Sequence, residues 1–374
     1  MRIGIDVRAC DNGSGYRGIG VYTTHLVQAL MKLNRCHQLI PFGLRVSRHS
    51  EFFESPFTPL VDREGFRING RRSLLNQLDA HGLDLCHVLD FLPPFAEPDR
   101  TVVTVYDLIP LVFSRVILRW NKIRTKWTLG IYYRFLKKAR QILAISHHTK
   151  ADLMRLLEIP PERIRVIYPG IAPVFRPLSN PQEITPTLRR YQISTPYALY
   201  VGSCDYRKNI SGLLRAFARF QARGFGDFHL VLVGKDVKDH RAKISEYASS
   251  LGLSDPLQWV GYIPQEDLVA LYNGATMLIH PSLYEGFGFT PLEAMACGLP
   301  VVTSNNSSLK EVIHGYALQE DPNDEEAFSE AMRQIVLDRT LRETLIQKGL
   351  VHAKRFSWDQ TAKEVLRVYE EIGA

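Results

Sequence analysis

The sequence lacks any uninterrupted apolar run of about 18 residues, the length that a helix needs to span a bilayer. Its five cysteines are widely spaced and form no Cys-x-x-Cys pair, so neither a disulfide framework nor a zinc site is expected. The first residues lead directly into an apolar run at 3–7, which is typical of a strand rather than of a secretion signal. We therefore expect a protein of the cytosol.

The composition is that of a soluble globular enzyme. The chain has 374 residues, of which 45% are hydrophobic and 23% are charged, values that predict two or three domains with their own cores. The net charge of +7 is unevenly distributed: residues 1–177 have 26 basic and 15 acidic residues, and residues 178–374 have 20 and 24. The first half is therefore expected to favour anionic surfaces.

The segment 115–140 has nine basic residues, no acidic residue and several interleaved tryptophan, tyrosine and phenylalanine side chains. Aromatic rings and basic side chains both suit the headgroup region of an anionic membrane, so one interpretation is a peripheral contact with the inner face of a membrane. A basic solvated helix is the alternative and stays open. No recognised nucleic-acid motif accompanies the segment, so no nucleic-acid partner is predicted.

Short runs rich in Val, Ile and Leu alternate with helical patterns, which predicts parallel sheets covered by helices. The predicted strands are 2–7, 38–44, 85–89, 101–106, 141–146, 163–168, 197–202, 229–234, 257–261, 277–281 and 300–303. Six prolines between 169 and 196 predict a linker without regular structure. We expect an α/β protein of two doubly wound, Rossmann-like domains with a cleft between them. The predicted limits are 1–177 for the N-terminal domain, 178–355 for the C-terminal domain and 356–374 for a closing helix capped by Ser357.

A glycine-rich segment, Gly13-Ser14-Gly15-Tyr16-Arg17-Gly18, follows the first predicted strand. Its G-x-G-x-x-G spacing is found in dinucleotide-binding folds, but the loop at 8–19 is too long for the tight turn and the next strand ends without an acidic residue. Binding of NAD or FAD is therefore not expected. A helix predicted at 21–33 still offers its N-terminus as an anion site, and a plain surface loop is the alternative.

The most informative segment is 281–302, which contains Glu285 and Glu293. A strand is predicted to end at Ser282, a glycine-containing loop carries Glu285, and a helix is predicted to start near Pro291. That start places Glu293 in the first helical turn, where the dipole favours a carboxylate. The backbone amides at 287–290 are predicted to be able to bind an anion.

This segment resembles the E-x7-E region of family 4 glycosyltransferases, a group of retaining enzymes with the two-domain GT-B fold. Glu285 and Glu293 have the family's spacing, and Gly286-Phe287-Gly288-Phe289-Thr290 fits the loop between them. The resemblance implies that Glu285 faces a sugar, that Glu293 accepts hydrogen bonds from a ribose diol, and that the amides at 287–290 serve a diphosphate. The resemblance extends over nearly the whole chain, is strongest over 197–304, and is weaker over 45–80, where no motif is assigned. It implies two GT-B domains with a nucleotide-sugar donor between them and a closing helix that crosses back to the first domain.

Other segments resemble the family in its order along the chain. The donor diphosphate is implied to meet Lys208, Arg207 and the loop at Ser203, since a compact ammonium stabilises charge on a departing phosphate. The donor side further includes Gly18 and Gly20 of the glycine loop and, near the nucleobase, Gly261 and Tyr262.

On the acceptor side, the resemblance implies a catalytic Asp107 and a contact from His147. The family commonly has His-Asp where this chain has Tyr106-Asp107, and this departure leaves the sugar contact of Tyr106 open. Without the resemblance, Arg207, Lys208 and His147 would be read as solvated surface residues.

The implied reaction is transfer of a hexosyl unit with retention, from GDP-mannose or a UDP-sugar such as UDP-glucose to a glycan or polyprenyl-diphosphate-linked acceptor. The patterns resemble those of bacterial polysaccharide mannosyltransferases, which favours GDP-mannose. No Asp-x-Asp occurs, and enzymes of this type need no divalent ion, so neither a metal nor a cofactor is expected. The competing hypothesis is a non-catalytic protein that binds nucleotides or polyanions on the same scaffold.

Overall fold

The computed structural model describes residues 1–10, 18–44, 66–68, 81–90, 97–113, 123–234, 240–253 and 255–374. Side chains are not described at 44, 66–68 and 123–128.

The strands, in chain order, are β1 (Arg2–Asp6), β2 (Gln38–Leu44), β3 (Phe66–Ile68), β4 (Leu85–Val88), β5 (Thr101–Val105), β6 (Gln141–Ala144), β7 (Ile164–Val166), β8 (Tyr197–Val201), β9 (His229–Val233), β10 (Leu257–Gly261), β11 (Met277–His280), β12 (Val301–Ser304) and β13 (Leu318–Glu320). The α-helices are α1 (Gly18–Leu33), α2 (Ile109–Val112), α3 (Ile123–Leu136), α4 (His147–Leu157), α5 (Pro181–Arg190), α6 (Ile210–Ala222), α7 (His240–Ser250), α8 (Gln265–Gly274), α9 (Phe289–Ala296), α10 (Ser307–Val312), α11 (Glu325–Leu337), α12 (Arg339–Ala353) and α13 (Trp358–Gly373).

The chain forms two compact units, one made of Met1–Gly170 with Ser357–Ala374 and the other of Ile171–Phe356. The predicted domain limits were 177/178 and 355/356. At the observed limits, the Ile171 amide donates to the Phe356 carbonyl oxygen at 3.0 Å. The two points at which the chain passes between the units therefore lie side by side.

In the described part of the first unit, the strands form a parallel sheet with the order β3-β2-β1-β4-β5-β6-β7. Its strands are apolar on both faces because helices cover both, and the core includes Tyr132 and Leu136 of α3 and Leu153 of α4. Beyond the predicted strands, the sheet includes β3 at one edge, in the region where the sequence assigned no motif.

Helix α13 completes this unit. The Ser357 side chain accepts from the Gln360 amide, so the predicted N-cap is confirmed. The Trp358 ring packs edge-on against Tyr22 of α1 at 5.2 Å between centroids, and the Tyr369 hydroxyl shares a 2.6 Å hydrogen bond with His87 Nδ1. Helix α13 is thus fixed at both ends to a unit whose other elements lie far away in sequence.

The second unit has a parallel sheet whose described strands have the order β10-β9-β8-β11-β12-β13. Its core packs the aromatic side chains of α6, Phe217 and Phe220, with Phe328 and Met332 of α11 against the sheet. None of the helices in the described parts of the chain, in either unit, is both long and apolar enough to cross a membrane.

The proline-rich segment was predicted to lack regular structure, and this is wrong at α5. Asn180 caps the helix by accepting from the Gln182 amide, and Pro181 occupies the first helical position, where its missing N–H is not needed. Pro186 lies inside the helix. The number of prolines alone is therefore a poor predictor for this segment, because Pro181 occupies the first position of a helix.

Candidate active site

The candidate site in the second unit lies where the strand order reverses. Strand β8 has β9 on one side and β11 on the other, and both pairs are parallel, so the loops after β8 and β11 leave the same edge of the sheet. In doubly wound sheets, ligands bind at the carboxyl ends of the strands at such a position. The Leu283 amide donates to the Arg207 carbonyl oxygen at 2.8 Å and joins these two loops.

Three of the predicted residues meet in these loops. Lys208 Nζ donates to Glu285 Oε1 at 2.6 Å, and Arg207 Nη1 donates to Glu285 Oε2 at 2.7 Å. The side chains of Lys208, Arg207 and Glu285 are only 10%, 18% and 13% exposed. The structure thus brings together two cations and one carboxylate at the predicted positions.

Burial alone would raise the pKa of the Glu285 carboxyl, but the Lys208 and Arg207 cations outweigh burial and hold that pKa well below its usual range. Burial also lowers the pKa of the Lys208 ammonium, against the opposing charge of Glu285. Glu285 is therefore an ionised carboxylate at neutral pH.

The loop after β8 fixes Arg207 through Asp205. The Asp205 carboxylate accepts from the Arg207 amide at 3.2 Å and from the Ser203 hydroxyl. It also lies 3.5 Å from Arg207 Nη2. Ser203, which was predicted to bind the donor, thus orients Asp205, and Asp205 in turn orients Arg207.

His280 is a residue of the cluster that was not predicted. It is the last residue of β11 and is 1% exposed, and its Nε2 lies 3.1 Å from Glu285 Oε1 and 3.2 Å from Ser282 Oγ. Burial, followed by the Lys208 charge, lowers the pKa of the imidazole, so the ring is neutral. The only signal in the sequence is a histidine that ends an otherwise apolar strand.

The residues that hold the Glu285 backbone were also not predicted. The Ser307 hydroxyl accepts from the Glu285 amide at 3.0 Å, and the Ser308 hydroxyl donates to the Glu285 carbonyl oxygen at 2.8 Å. Asn306 Nδ2 donates to the Leu283 carbonyl oxygen at 3.0 Å. These residues follow β12, which pairs with β11, so the order of strands brings them to the loop.

The helix starts two residues before the predicted Pro291, so the predicted placement of Glu293 in its first turn is wrong. Helix α9 begins at Phe289, because Gly288 adopts a φ of 120° at the N-cap, and Glu293 is its fifth residue. Pro291 remains in the first turn, where its missing N–H costs nothing, but Glu293 is beyond the amides that stabilise a carboxylate. Its Oε2 instead accepts from the Tyr272 hydroxyl at 3.2 Å, and burial raises its pKa to about 7.

The remaining predicted donor residues lie along the same edge of the sheet. Gly261 ends β10 with a φ of 84° and is followed by Tyr262, which is 57% exposed. The Gly234 amide donates to the Gly261 carbonyl oxygen at 2.9 Å, which ties the ends of β9 and β10 together. Phe287 is buried in edge-on contact with Phe289, and Phe289 and Thr290 form the first turn of α9.

The residues predicted in the first unit do not form a comparable cluster in its described part. Asp107 follows β5 and accepts from the Ile109 amide at 2.9 Å. Tyr106 is buried, and its hydroxyl donates to the Leu89 carbonyl oxygen at 2.9 Å. This hydroxyl therefore makes a hydrogen bond within the fold. His147 is exposed at the start of α4, with its ring 6.1 Å from that of Tyr168.

Gly18 and Gly20 lie in the first turn of α1, which begins at residue 18 rather than at the predicted 21. The rest of the glycine-rich loop, at 11–17, lies outside the described residues, as does 115–122 of the basic segment.

The chain matches two family models, described as "Glycosyltransferase Family 4" over residues 16–174 and "Glycosyl transferases group 1" over residues 190–352. It is 35% identical to the Escherichia coli O-antigen chain mannosyltransferase B, over 73% of this chain and 70% of that protein. It is 30% identical to the E. coli serotype-specific mannosyltransferase WbdA over 72% of this chain, and it spans about a third of WbdA, 33%.

Solved structures match the whole fold. Sucrose-phosphate synthase from Thermosynechococcus elongatus has a TM-score of 0.76 at 22% identity, covering 100% of this chain and 99% of that one. Anabaena HepE in complex with UDP-glucose has a TM-score of 0.75 at 16% identity, covering 99% and 100%. These likenesses concern the fold alone, and with the family matches they define a glycosyltransferase of the GT-B fold class.

The chain belongs to glycosyltransferase family 4. The resemblance inferred from the 281–302 segment and the expected enzyme class are thereby confirmed.

Proposed function

We propose that this enzyme transfers mannose from GDP-mannose to a hydroxyl of a glycan or of a polyprenyl-diphosphate-linked glycan in polysaccharide synthesis, with retention at the anomeric carbon. The names of the two E. coli relatives support mannose. The UDP-glucose bound to Anabaena HepE supports a UDP-sugar as the second candidate donor.

The observation that carries the proposal is the cluster of Lys208, Arg207 and Glu285 at the reversal point of the sheet. Lys208 and Arg207 face the carboxylates of Glu285 and Asp205, and a diphosphate, which carries more negative charge than a carboxylate, competes with Glu285 for both cations. Buried cations also act strongly on charge that develops as the nucleotide departs. Lys208 and Arg207 stabilise the leaving diphosphate, and Glu285 positions the transferred sugar. Glu293 accepts from the ribose, and the amides of Phe289 and Thr290 face the phosphates.

In the proposed reaction, the bond between the anomeric carbon and the phosphate oxygen breaks while the acceptor oxygen bonds to the same face of that carbon. The acceptor proton passes to the leaving phosphate, so the proposed reaction needs no protein side chain as a general base. Asp107 and His147 are proposed to orient the acceptor. Lys208 and Arg207 take the place of a metal, so the proposed reaction needs no divalent ion and no cofactor.

We also propose that the enzyme works in the cytoplasm, peripherally attached to an anionic membrane surface through the segment 115–140. A polyprenyl-linked acceptor resides in such a membrane, and the described residues Arg134, Lys137, Lys138 and Arg140 of this segment are exposed.

The test is turnover of GDP-mannose and UDP-glucose by the purified protein and by the variants Glu285→Gln and Lys208→Ala. We expect both variants to lose transfer or donor hydrolysis by about 100-fold or more, since each removes charge stabilisation that acts in the transition state. The exposed controls Glu343→Gln and Lys243→Ala should behave like the wild type, and EDTA should leave turnover unchanged.

Turnover at the wild-type rate in either cluster variant, with an unchanged melting temperature, would contradict the assigned roles. A wild-type protein that is stabilised by nucleotides yet turns over neither donor would favour the competing hypothesis of a non-catalytic binding protein.

A further inference from the structure

His280 is a buried polar residue of the site to which the proposed reaction assigns no role. Its Nε2 lies 3.1 Å from Glu285 Oε1, the same oxygen that accepts from Lys208. A carboxylate only accepts hydrogen bonds, so the imidazole proton is on Nε2 and points at Glu285. His280 Nδ1 is buried and has no hydrogen-bond partner among the described residues. The polar contacts of the ring therefore all run through Nε2.

The other two donors to Glu285 are shared with the proposed ligand. A nucleoside diphosphate carries more negative charge than a carboxylate, and it competes with Glu285 for Lys208 and Arg207. As these cations turn towards phosphate oxygens, Glu285 loses two of its partners. A buried carboxylate with fewer partners becomes both more mobile and easier to protonate.

The His280 donor cannot follow the phosphates in this way. The imidazole is uncharged and 1% exposed, and it belongs to a strand of the sheet rather than to a loop. Its backbone is fixed by the Thr303 hydroxyl of β12, which donates to the His280 carbonyl oxygen at 3.0 Å. Ser282 Oγ lies 3.2 Å from Nε2.

We infer that His280 is a positioning residue, whose Nε2–H holds Glu285 in place for the sugar while Lys208 and Arg207 engage the donor diphosphate. This inference rests on the proposed function, because it assumes that the two cations serve phosphates. It adds a neutral, rigidly held donor to a carboxylate whose other two side-chain donors are charged and exchangeable.

The kinetic test compares His280→Leu, which removes the donor, with His280→Gln, which keeps an N–H group. With GDP-mannose and, in parallel, UDP-glucose, we expect His280→Leu to lower kcat about 10- to 100-fold and to change the donor KM by less than about threefold. His280→Gln should recover most of kcat. His229→Leu is the matched control, since His229 is the first residue of β9 and lies at the end of the strand away from the candidate site.

The pH profile separates positioning from a merely structural role. The Nε2–H donor favours the ionised form of Glu285, so its removal raises the pKa of that carboxyl and should move the acid limb of kcat to higher pH. The charged groups facing the imidazole are Glu285, Lys208 and Arg207, and all three remain in the variant. A general loosening of the fold would lower kcat without moving this limb.

A measurement independent of turnover is ¹⁵N NMR of the imidazole in the full chain. We expect a ring that is neutral at pH 7 with the proton on Nε2, and a shifted Nε2 resonance in Glu285→Gln. A ring that is charged at pH 7, or an Nε2 resonance unaffected by Glu285→Gln, would overturn the inference.

The outcomes for His280 and for the proposed function are distinguishable. Wild-type kcat and an unshifted acid limb in His280→Leu, together with an inactive Glu285→Gln, would overturn only the role of His280. An active Glu285→Gln would overturn both.

Discussion

Two glutamates of one motif have opposite electrostatic surroundings in this enzyme. Glu285 receives hydrogen bonds from Lys208, Arg207 and His280 and stays ionised. The hydrogen bond that Glu293 receives comes from the neutral Tyr272 hydroxyl, and burial raises the pKa of Glu293 to about 7. A change of environment between the loop before α9 and its fifth residue thus separates a permanent charge from a group that titrates near neutrality.

This difference predicts a pH-dependent effect of Glu293→Gln on stability. Between its ordinary pKa and about 7, the folded protein keeps a proton on Glu293 that the unfolded chain has lost, so the free energy of unfolding falls as pH rises through that range. Glutamine removes this dependence. We expect Glu293→Gln to gain about 2 kcal/mol relative to the wild type between about pH 4.5 and about pH 8, discounting for partial exposure.

Urea unfolding at several pH values measures this gain, and Glu343→Gln, at an exposed position, serves as the control. A difference between Glu293→Gln and the wild type that is constant over the whole range would show that Glu293 has an ordinary pKa.

Sequence alone predicted the residues that lie inside a recognisable motif, namely Glu285, Lys208 and Arg207, and the structure places them together. It did not predict His280, Ser307 or Ser308, whose side chains point at the Glu285 loop. The reason is physical: the two serines reach Glu285 only because β12 pairs with β11, and pairing is a property of the sheet rather than of local spacing.

At the scale of elements, the buried strands were predicted closely because an uninterrupted apolar run has few alternatives to a strand covered on both faces. The prediction at 257–261 agrees with β10, and the one at 197–202 exceeds β8 by one residue. The short edge strands β3 and β13 were not predicted, since three residues carry little periodicity. Helix starts were less predictable, because glycine and proline favour or disfavour a helix according to their position in it, as Gly288 and Pro181 show.

The ends of β8 and β9 approach so closely that only glycine fits at 234. A Cβ on Gly234 would overlap the Gly202 carbonyl oxygen, which belongs to the loop leading to Lys208. Backbone atoms cannot move aside as a flexible side chain can. This contact holds two strand ends of the candidate site at their observed separation.

We therefore predict that Gly234→Ala lowers the free energy of unfolding by about 3 kcal/mol, as other overpacked sites do. The matched control is Gly226→Ala, because a Cβ at 226 meets no atom within 4 Å. The urea midpoint of the control should stay close to that of the wild type. Equal midpoints for both variants would mean that the β8 and β9 ends can separate without cost.

At the scale of the molecule, the charge is divided along the chain. The residues before 178 carry the basic excess and those after it are slightly acidic. In the first unit, Arg134 and Lys138 of the basic segment are exposed. Clustered cations of this kind attract an anionic bilayer over about one Debye length.

We predict that reversing two charges, in Arg134→Glu with Lys138→Glu, weakens binding to vesicles of anionic phospholipid by at least about tenfold at low salt. The control is Lys243→Glu with Lys348→Glu, which makes the same change in net charge at exposed positions of the second unit. Sedimentation with the vesicles measures both. Equal loss in both variants would assign the attraction to net charge, and no loss in either would remove the membrane proposal.

Helix α13 belongs to the first unit but is encoded after the whole of the second. The ribosome therefore releases every residue of 171–356 before it releases Trp358 and Tyr369, the partners of Tyr22 and His87. During synthesis, the later unit can finish folding while the earlier one still exposes the apolar surface that α13 will cover. If each unit folds once its last element has emerged, the N-terminal unit of this protein is the last to be completed, which reverses the usual order from the N-terminus onwards.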